Sequence, residues 1–262
     1  MTKAAMLKPN RKPLRERVSA EEWRVRVDLA ACYRLVAHYG MTDMIYTHIT
    51  ARVPGPEHHF LINAYGLLFD EINASSLVKI DLDGAVVLQP DHDYPINYAG
   101  FVIHGAIHSA RKDVQCVIHT HTRAGMAVSA QKQGLLPLTQ TAMRFYGLLG
   151  YHDYVGPAVD LAERKSLVAD LGPHNAMILR NHGLLACGPT VAEALNTIYW
   201  LERACQAQVD ALAGGQAVTL PPAEVAEKTA HLYKPDVRRP WGVLEWPTML
   251  RMLDRRDPSY RE

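Results

Sequence analysis

The 262-residue sequence predicts an α/β fold, a mixed sheet covered by helices. Three observations carry that expectation. Strand-like runs meet at Asp83-Gly84, a hairpin turn signal that implies antiparallel pairing. Further along, apolar runs alternate with stretches of helical period, which implies strand–helix units. Three capping boxes, Ser19 with Glu22, Asp160 with Glu163 and Thr190 with Glu193, mark helix starts.

In chain order, the first box opens a helix over 20–39, which Gly40 closes. Strands are predicted over 45–53, 59–63, 78–82 and 85–88. Pro95 precedes a helix over 98–111. A strand over 114–118 and a helix over 123–131 follow. The second box opens a helix over 161–171, and a strand covers 176–180. The third opens a long helix over 191–213, where Val191, Ala194, Leu195, Ile198 and Leu201 fall at helical spacing. No internal repeat is present. The chain divides into a basic N-terminal tail (1–18), a main domain (19–215) ending near Gly214-Gly215, and a C-terminal tail (216–262). That tail carries Trp241, Trp246 and several aliphatics, so it is expected to pack on the body or on a neighbouring subunit.

Composition narrows the function classes. Hydrophobic residues make up 48% and charged residues 21%, values ordinary for a soluble globular protein. A net charge of +1 gives no electrostatic case for nucleic acid or an anionic membrane. The basic stretch 1–17 lacks the apolar core of a secretory signal, and it is expected to be a solvated tail. No apolar run is long enough to span a bilayer. Cys32, Cys116, Cys187 and Cys205 all lie in apolar segments with no Cys-x-x-Cys among them, so they are expected as core residues of a cytoplasmic protein.

The chemistry concentrates in histidine. His119-Thr120-His121 follows the apolar run 114–118, and Asn181-His182-Gly183 follows the run 176–180. Residues i and i+2 on a strand share a face, so His119 and His121 can converge, and His182 arrives from another strand end. His-x-His alone is a weak signal; the matching His182-Gly183 makes a three-histidine site the better reading. Three neutral imidazoles suit one divalent ion (Zn²⁺, Mn²⁺, Fe²⁺ or Co²⁺) and leave positions open for substrate. His104 and His108, four apart on a predicted helix, form a competing pair without a third ligand; one is expected to bond near the site and the other to face solvent. His48, on the predicted face of Tyr46 and Thr50, either lines the pocket or is a satisfied buried histidine. His58, His59, His92, His152, His174 and His231 are expected at the surface.

Several ordered motifs carry a resemblance. They are Ile45-Tyr46-Thr47-His48-Ile49-Thr50-Ala51-Arg52-Val53-Pro54-Gly55, Phe60-Leu61-Ile62-Asn63, Gly66-Leu67-Leu68, Ala74-Ser75-Ser76-Leu77-Val78-Lys79-Ile80-Asp81, Cys116-Val117-Ile118-His119-Thr120-His121-Thr122, Tyr151-His152-Asp153-Tyr154 and Asn181-His182-Gly183-Leu184. Together they resemble the class II aldolase/adducin family, closest to its adducin-like bacterial-type branch, from about residue 20 to about 215. The resemblance implies a three-layer α/β/α fold with a central, mostly antiparallel mixed sheet. It implies a homotetramer with active sites at subunit boundaries, and metal ligands at His119, His121 and His182.

Departures from the family pattern are as informative. The catalytic glutamate of the sugar-phosphate aldolases stands nineteen residues before the first metal histidine, where this chain has Gly100. Tyr98 and Ala99 replace the serines of the phosphate pocket, and His48 replaces an asparagine. The aldolases' tyrosine acid has no clear counterpart; Thr141 is nearest and Tyr146 a few residues on. His48, Tyr98 and Tyr146 are therefore the candidate catalytic residues. The expected function is that of a metal-dependent lyase, a decarboxylase or retro-aldolase, acting on a small non-phosphorylated hydroxy-carbonyl or aromatic acid. The alternatives are a non-haem iron oxygenase on the same histidines and a non-catalytic adducin-like assembly module. No nucleic-acid or membrane partner is expected.

Overall fold

The computed structural model describes residues 12–156 and 163–262. The elements in chain order are α1 (Ala20–His38), β1 (His48–Arg52), β2 (Phe60–Ile62), β3 (Val78–Ile80), β4 (Val86–Leu88), α2 (Tyr98–Ala110), β5 (Cys116–Thr120), α3 (Arg123–Ser129), α4 (Gln140–Met143), β6 (Gly150–His152), α5 (Glu163–Leu171), β7 (Ala176–Leu179), β8 (Gly183–Gly188), α6 (Val191–Leu212), α7 (Ala223–Leu232) and α8 (Trp246–Arg256). The eight strands form one sheet in the order β4-β3-β2-β1-β5-β8-β7-β6. Every neighbouring pair is antiparallel except β6–β7. The fold is thus α/β with a mixed, mostly antiparallel sheet.

Alternation along the strands sorts side chains into two layers. Ile49, Ala51, Cys116, Ile118, Ile178, Leu184 and Ala186 face the main core, built with α1 and α6. Val117, Met177, Leu179, Leu185 and Cys187 face the other side, under α2 and α5. Phe60, Ile62, Val78 and Ile80 continue that side beneath the start of α2. His48 and Thr50 alternate with Ile49 and Ala51, and His119 alternates with Ile118. All three therefore point into the α2 layer, where His48 pairs across the ladder with His119.

The capping boxes form only in part. Ser19 and Thr190 accept from the backbone N–H of Glu22 and Glu193. The Glu22 carboxylate, however, turns inward to Arg26 and Lys79, at 2.9 and 2.8 Å, instead of returning to the helix start. A buried Arg26 guanidinium needs that partner more than the cap does; it also donates to the carbonyls of Ala74 and Leu77. Asp160 of the second box and residues 1–11 of the basic tail lie outside the described residues. The predicted strand 45–53 begins only at His48, because Met44 and Thr47 take positive φ (47° and 68°) and break the extended chain. Beyond Gly214-Gly215 the chain continues into α7, α8 and a final turn, whose Leu253 and Tyr260 join the main core. The carbonyl of Glu262 accepts from the Ser75 N–H. The four cysteines are free and buried. No helix of the described residues is long and apolar enough to cross a membrane.

Candidate metal centre

His119 is the fourth residue of β5, and His121 follows that strand's last residue. His182 ends the tight turn from β7 to β8, in which Asn181 takes a positive φ of 56° and the His182 N–H donates to Leu179 C=O. That turn must pass very close to β5: a Cβ on Gly183 would lie 2.4 Å from the Thr120 carbonyl oxygen. Glycine at 183 therefore lets His182 come up against the His-x-His.

The result is tight convergence. His119 Nε2 and His121 Nε2 are 2.8 Å apart, and His121 Nε2 and His182 Nε2 are 3.0 Å apart. Among the described residues these three are the one group of His, Cys, Asp or Glu able to share an ion, with ligand atoms all within 4.8 Å of one another. The outer ring nitrogens fix the tautomers. His119 Nδ1–H donates to the Leu184 carbonyl at 2.9 Å, and His121 Nδ1–H donates to Asp43 Oδ2 at 3.0 Å. Both Nε2 atoms therefore present lone pairs inward, as ligating imidazoles do. Burial, and then the neighbouring His121, pushes His182 down to about 4. Burial first, then His182 and His48, holds His119 well below the usual imidazole range. A knot of neutral imidazoles with facing lone pairs is repulsive without a cation between them. Ligands 2.0–2.1 Å from a tetrahedral ion stand roughly 3.3 Å apart, close to the spacings here. The donor set fits one divalent ion.

Behind this cluster lies a second, buried histidine chain. His48 Nδ1 and His104 Nε2 bond at 2.9 Å, and the Thr50 hydroxyl bridges His104 Nδ1 and His108 Nε2 at 2.8 Å each. The solvent-facing member expected of the His104/His108 pair does not exist: both are fully buried. Their i,i+4 spacing aims both rings at one hydroxyl on β1. Burial pushes His48 and His108 each down to about 3. His48 is the link between the two groups, its ring 5.2 Å from that of His119 and 4.3 Å from that of His104. It also fills the space that a side chain at position 100 would enter. A Cβ on Gly100 would meet the His48 ring at 2.3–2.8 Å.

The other sequence candidates make different contacts. Tyr98 is largely exposed at the start of α2, against Phe101. Tyr146 lies in the turn after α4, an element packed on α6 and α7. No ring contact links either tyrosine to the three histidines among the described residues. His152, expected at the surface, is buried at the end of β6, where its Nδ1 meets Asp170 at 2.7 Å. Three contributors escaped the sequence. Asp43 holds His121 from a loop 78 residues away. Tyr154 brings its ring within 6.1 Å of that of His182. Buried Glu202 on α6 accepts from the hydroxyl of Thr122, which caps α3 directly after His121.

Residues 27–209 match the model of the class II aldolase and adducin N-terminal domain. The chain belongs to the class II aldolase and adducin family. An aldolase II superfamily protein from Pseudomonas syringae is 53% identical and superposes with a TM-score of 0.90, over 96% of this chain and 100% of its own. An L-fuculose 1-phosphate aldolase from Glaciozyma antarctica superposes at 0.81 with 28% identity, over 98% of both chains. Alpha-adducin from Rattus norvegicus is 43% identical over 88% of this chain, which spans only 33% of the adducin. Both the aldolase and the adducin side of the class II aldolase and adducin family are therefore close to this sequence.

Proposed function

We propose that the protein is a divalent-metal-dependent carbon–carbon lyase, a decarboxylase or retro-aldolase, for a small non-phosphorylated hydroxy-carbonyl or aromatic acid. The observation that supports this most is the convergence of the His119, His121 and His182 Nε2 atoms, with two of the three rings locked by Leu184 and Asp43. A divalent ion held there supplies Lewis acidity to a chelating hydroxy-carbonyl group. The chain supplies the rest. His48, pinned through Nδ1 by His104, keeps Nε2 to accept or return a proton at the reacting centre. Burial keeps that ring neutral. The exposed Tyr154 ring beside His182 shields one side of the site. Tyr98 and Tyr146 become further proton donors only if the assembled protein brings them to the histidines.

The name of the Glaciozyma neighbour sets a ketose phosphate as the competing substrate. Tyr98 and Ala99, where the phosphate-binding serines are expected, support a carboxylate or an aromatic ring instead. An adducin-like module is favoured by Gly100 and by the adducin identity, and disfavoured by the three retained histidines.

Metal analysis of the purified chain, followed by an acid screen read as CO₂ release, aldehyde release and oxygen uptake, separates these readings. Metal-dependent CO₂ or aldehyde release is the expected result. Oxygen consumption would make it an oxygenase. A chain that retains no ion from zinc, manganese, iron or cobalt would be a module.

A further inference from the structure

The histidines occupy one end of the β7–β8 pair, where Leu179 faces Gly183; a separate cleft opens near the other end, where Ala176 faces Ala186. Its volume is about 220 Å³, and Ala176, Cys187, Arg144, Phe145, Tyr233 and Trp241 are among its walls. Arg144 dominates it. The guanidinium lies 4.4 Å from the Tyr233 ring centre, 5.1 Å from that of Trp200 and 5.5 Å from that of Trp241. One arm donates to Asn196 Oδ1 at 3.0 Å. Three rings and an amide thus hold the fork in one orientation.

What Arg144 lacks is a directly paired anion. It enters no ion pair among the described residues. Glu193 lines the cleft but accepts from the Thr190 hydroxyl, and Glu245, whose charge reaches Arg144 through space, is paired with Arg239. Lys234 adds a second cation to the lining. Desolvation is the main cost to Arg144, drawing it down to about 10. A half-buried cation with no carboxylate in direct contact is an expensive arrangement unless something anionic joins it.

Size and surface select the partner. A cavity of roughly 150 Å³ holds benzene, and drug-sized ligands occupy about 300 Å³ or more. The cleft lies between these limits, with flat aromatic walls and one oriented fork suited to a carboxylate. We propose that it is a second binding site, for a one-ring carboxylate, separate from the three histidines.

Benzoate is the probe, titrated into the full chain by calorimetry. Saturable binding is expected, weakened at least about tenfold in Arg144→Gln, which removes the charge-assisted bonds. Two positions outside the buried core give shifts of opposite sign: Lys234→Glu, at an exposed site, should weaken binding, and Glu193→Gln, at a half-buried one, should tighten it. Binding should persist in His121→Ala, since the histidines take no part. No saturable binding up to about 10 mM overturns the proposal, as does loss of binding in His121→Ala or an unchanged affinity in both charge variants. Absent benzoate binding together with a changed elution volume for Arg144→Gln would instead make the cleft a contact between copies of this chain.

Discussion

Adding one methyl group at Gly100 tests whether His48 and this glycine form a single unit. The new Cβ would stand 2.3 Å from His48 Cδ2, 2.6 Å from Cγ and 2.8 Å from Nε2. The ring cannot simply swing away, because His104 holds it and Thr50 holds His104. Overpacking at such a site costs about 1–3 kcal/mol. Breaking the His48–His104 bond adds about 1 kcal/mol. Alanine recovers up to about 1 kcal/mol of helix propensity in α2. Gly100→Ala should therefore destabilise the protein by about 1–3 kcal/mol. In a His48→Ala background the first two costs disappear and only the propensity gain remains. The coupling between the two positions should reach about 2–4 kcal/mol, read from urea midpoints of the four proteins of the cycle. Equal effects of Gly100→Ala with histidine or alanine at 48 would refute the idea that this ring fills the space beside Gly100.

His121→Ala should lose most of its bound metal in elemental analysis, since one of three protein ligands is gone; full occupancy would end the metal assignment. Burial, followed by the Arg52 charge, pushes His108 down to about 3, below the roughly 6.5 of an unfolded chain. Its contribution is complete above about pH 6.5 and is lost as pH falls toward the folded value. Between about pH 4 and 6, His108→Gln should flatten the stability curve by up to about 1.4 kcal/mol per pH unit, measured by denaturation at several pH values. Thr122→Ala removes the α3 cap, worth about 1 kcal/mol, and leaves buried Glu202 short of a donor, worth about 1–3 more. A total near 2–4 kcal/mol in urea, largely restored by Thr122→Ser, is expected. A ketose 1-phosphate should be cleaved at well below about 1 s⁻¹, and turnover at ordinary enzyme rates would contradict the substrate class.

Periodicity made the long helices legible: α6 shows its apolar spacing and its Thr190 cap, and α1 its Ser19 cap. The central strand β8 was not legible. Buried on both faces, Leu184-Leu185-Ala186-Cys187 shows no alternation to distinguish strand from helix. Edge strand β6 is three residues long and begins with glycine, too little pattern to detect. Within the site, His119, His121 and His182 could be found because each sits beside an apolar run. Asp43 could not, since only the positive-φ loop around Met44 and Thr47 brings it back to His121. The fit of His48 against Gly100 has no trace in either local sequence; it exists only once α2 lies across β1.

The carbonyl that fixes His119 belongs to Leu184, which faces Thr120 in the β5–β8 ladder. Sliding β8 by one residue would exchange its two faces and remove that acceptor. The imidazole could then turn, and its inward lone pair would be lost. At the proposed metal site, ion affinity would thus double as a gauge of strand alignment. Chains caught in a shifted pairing during folding would hold metal poorly, and supplying the ion would draw them toward the aligned state.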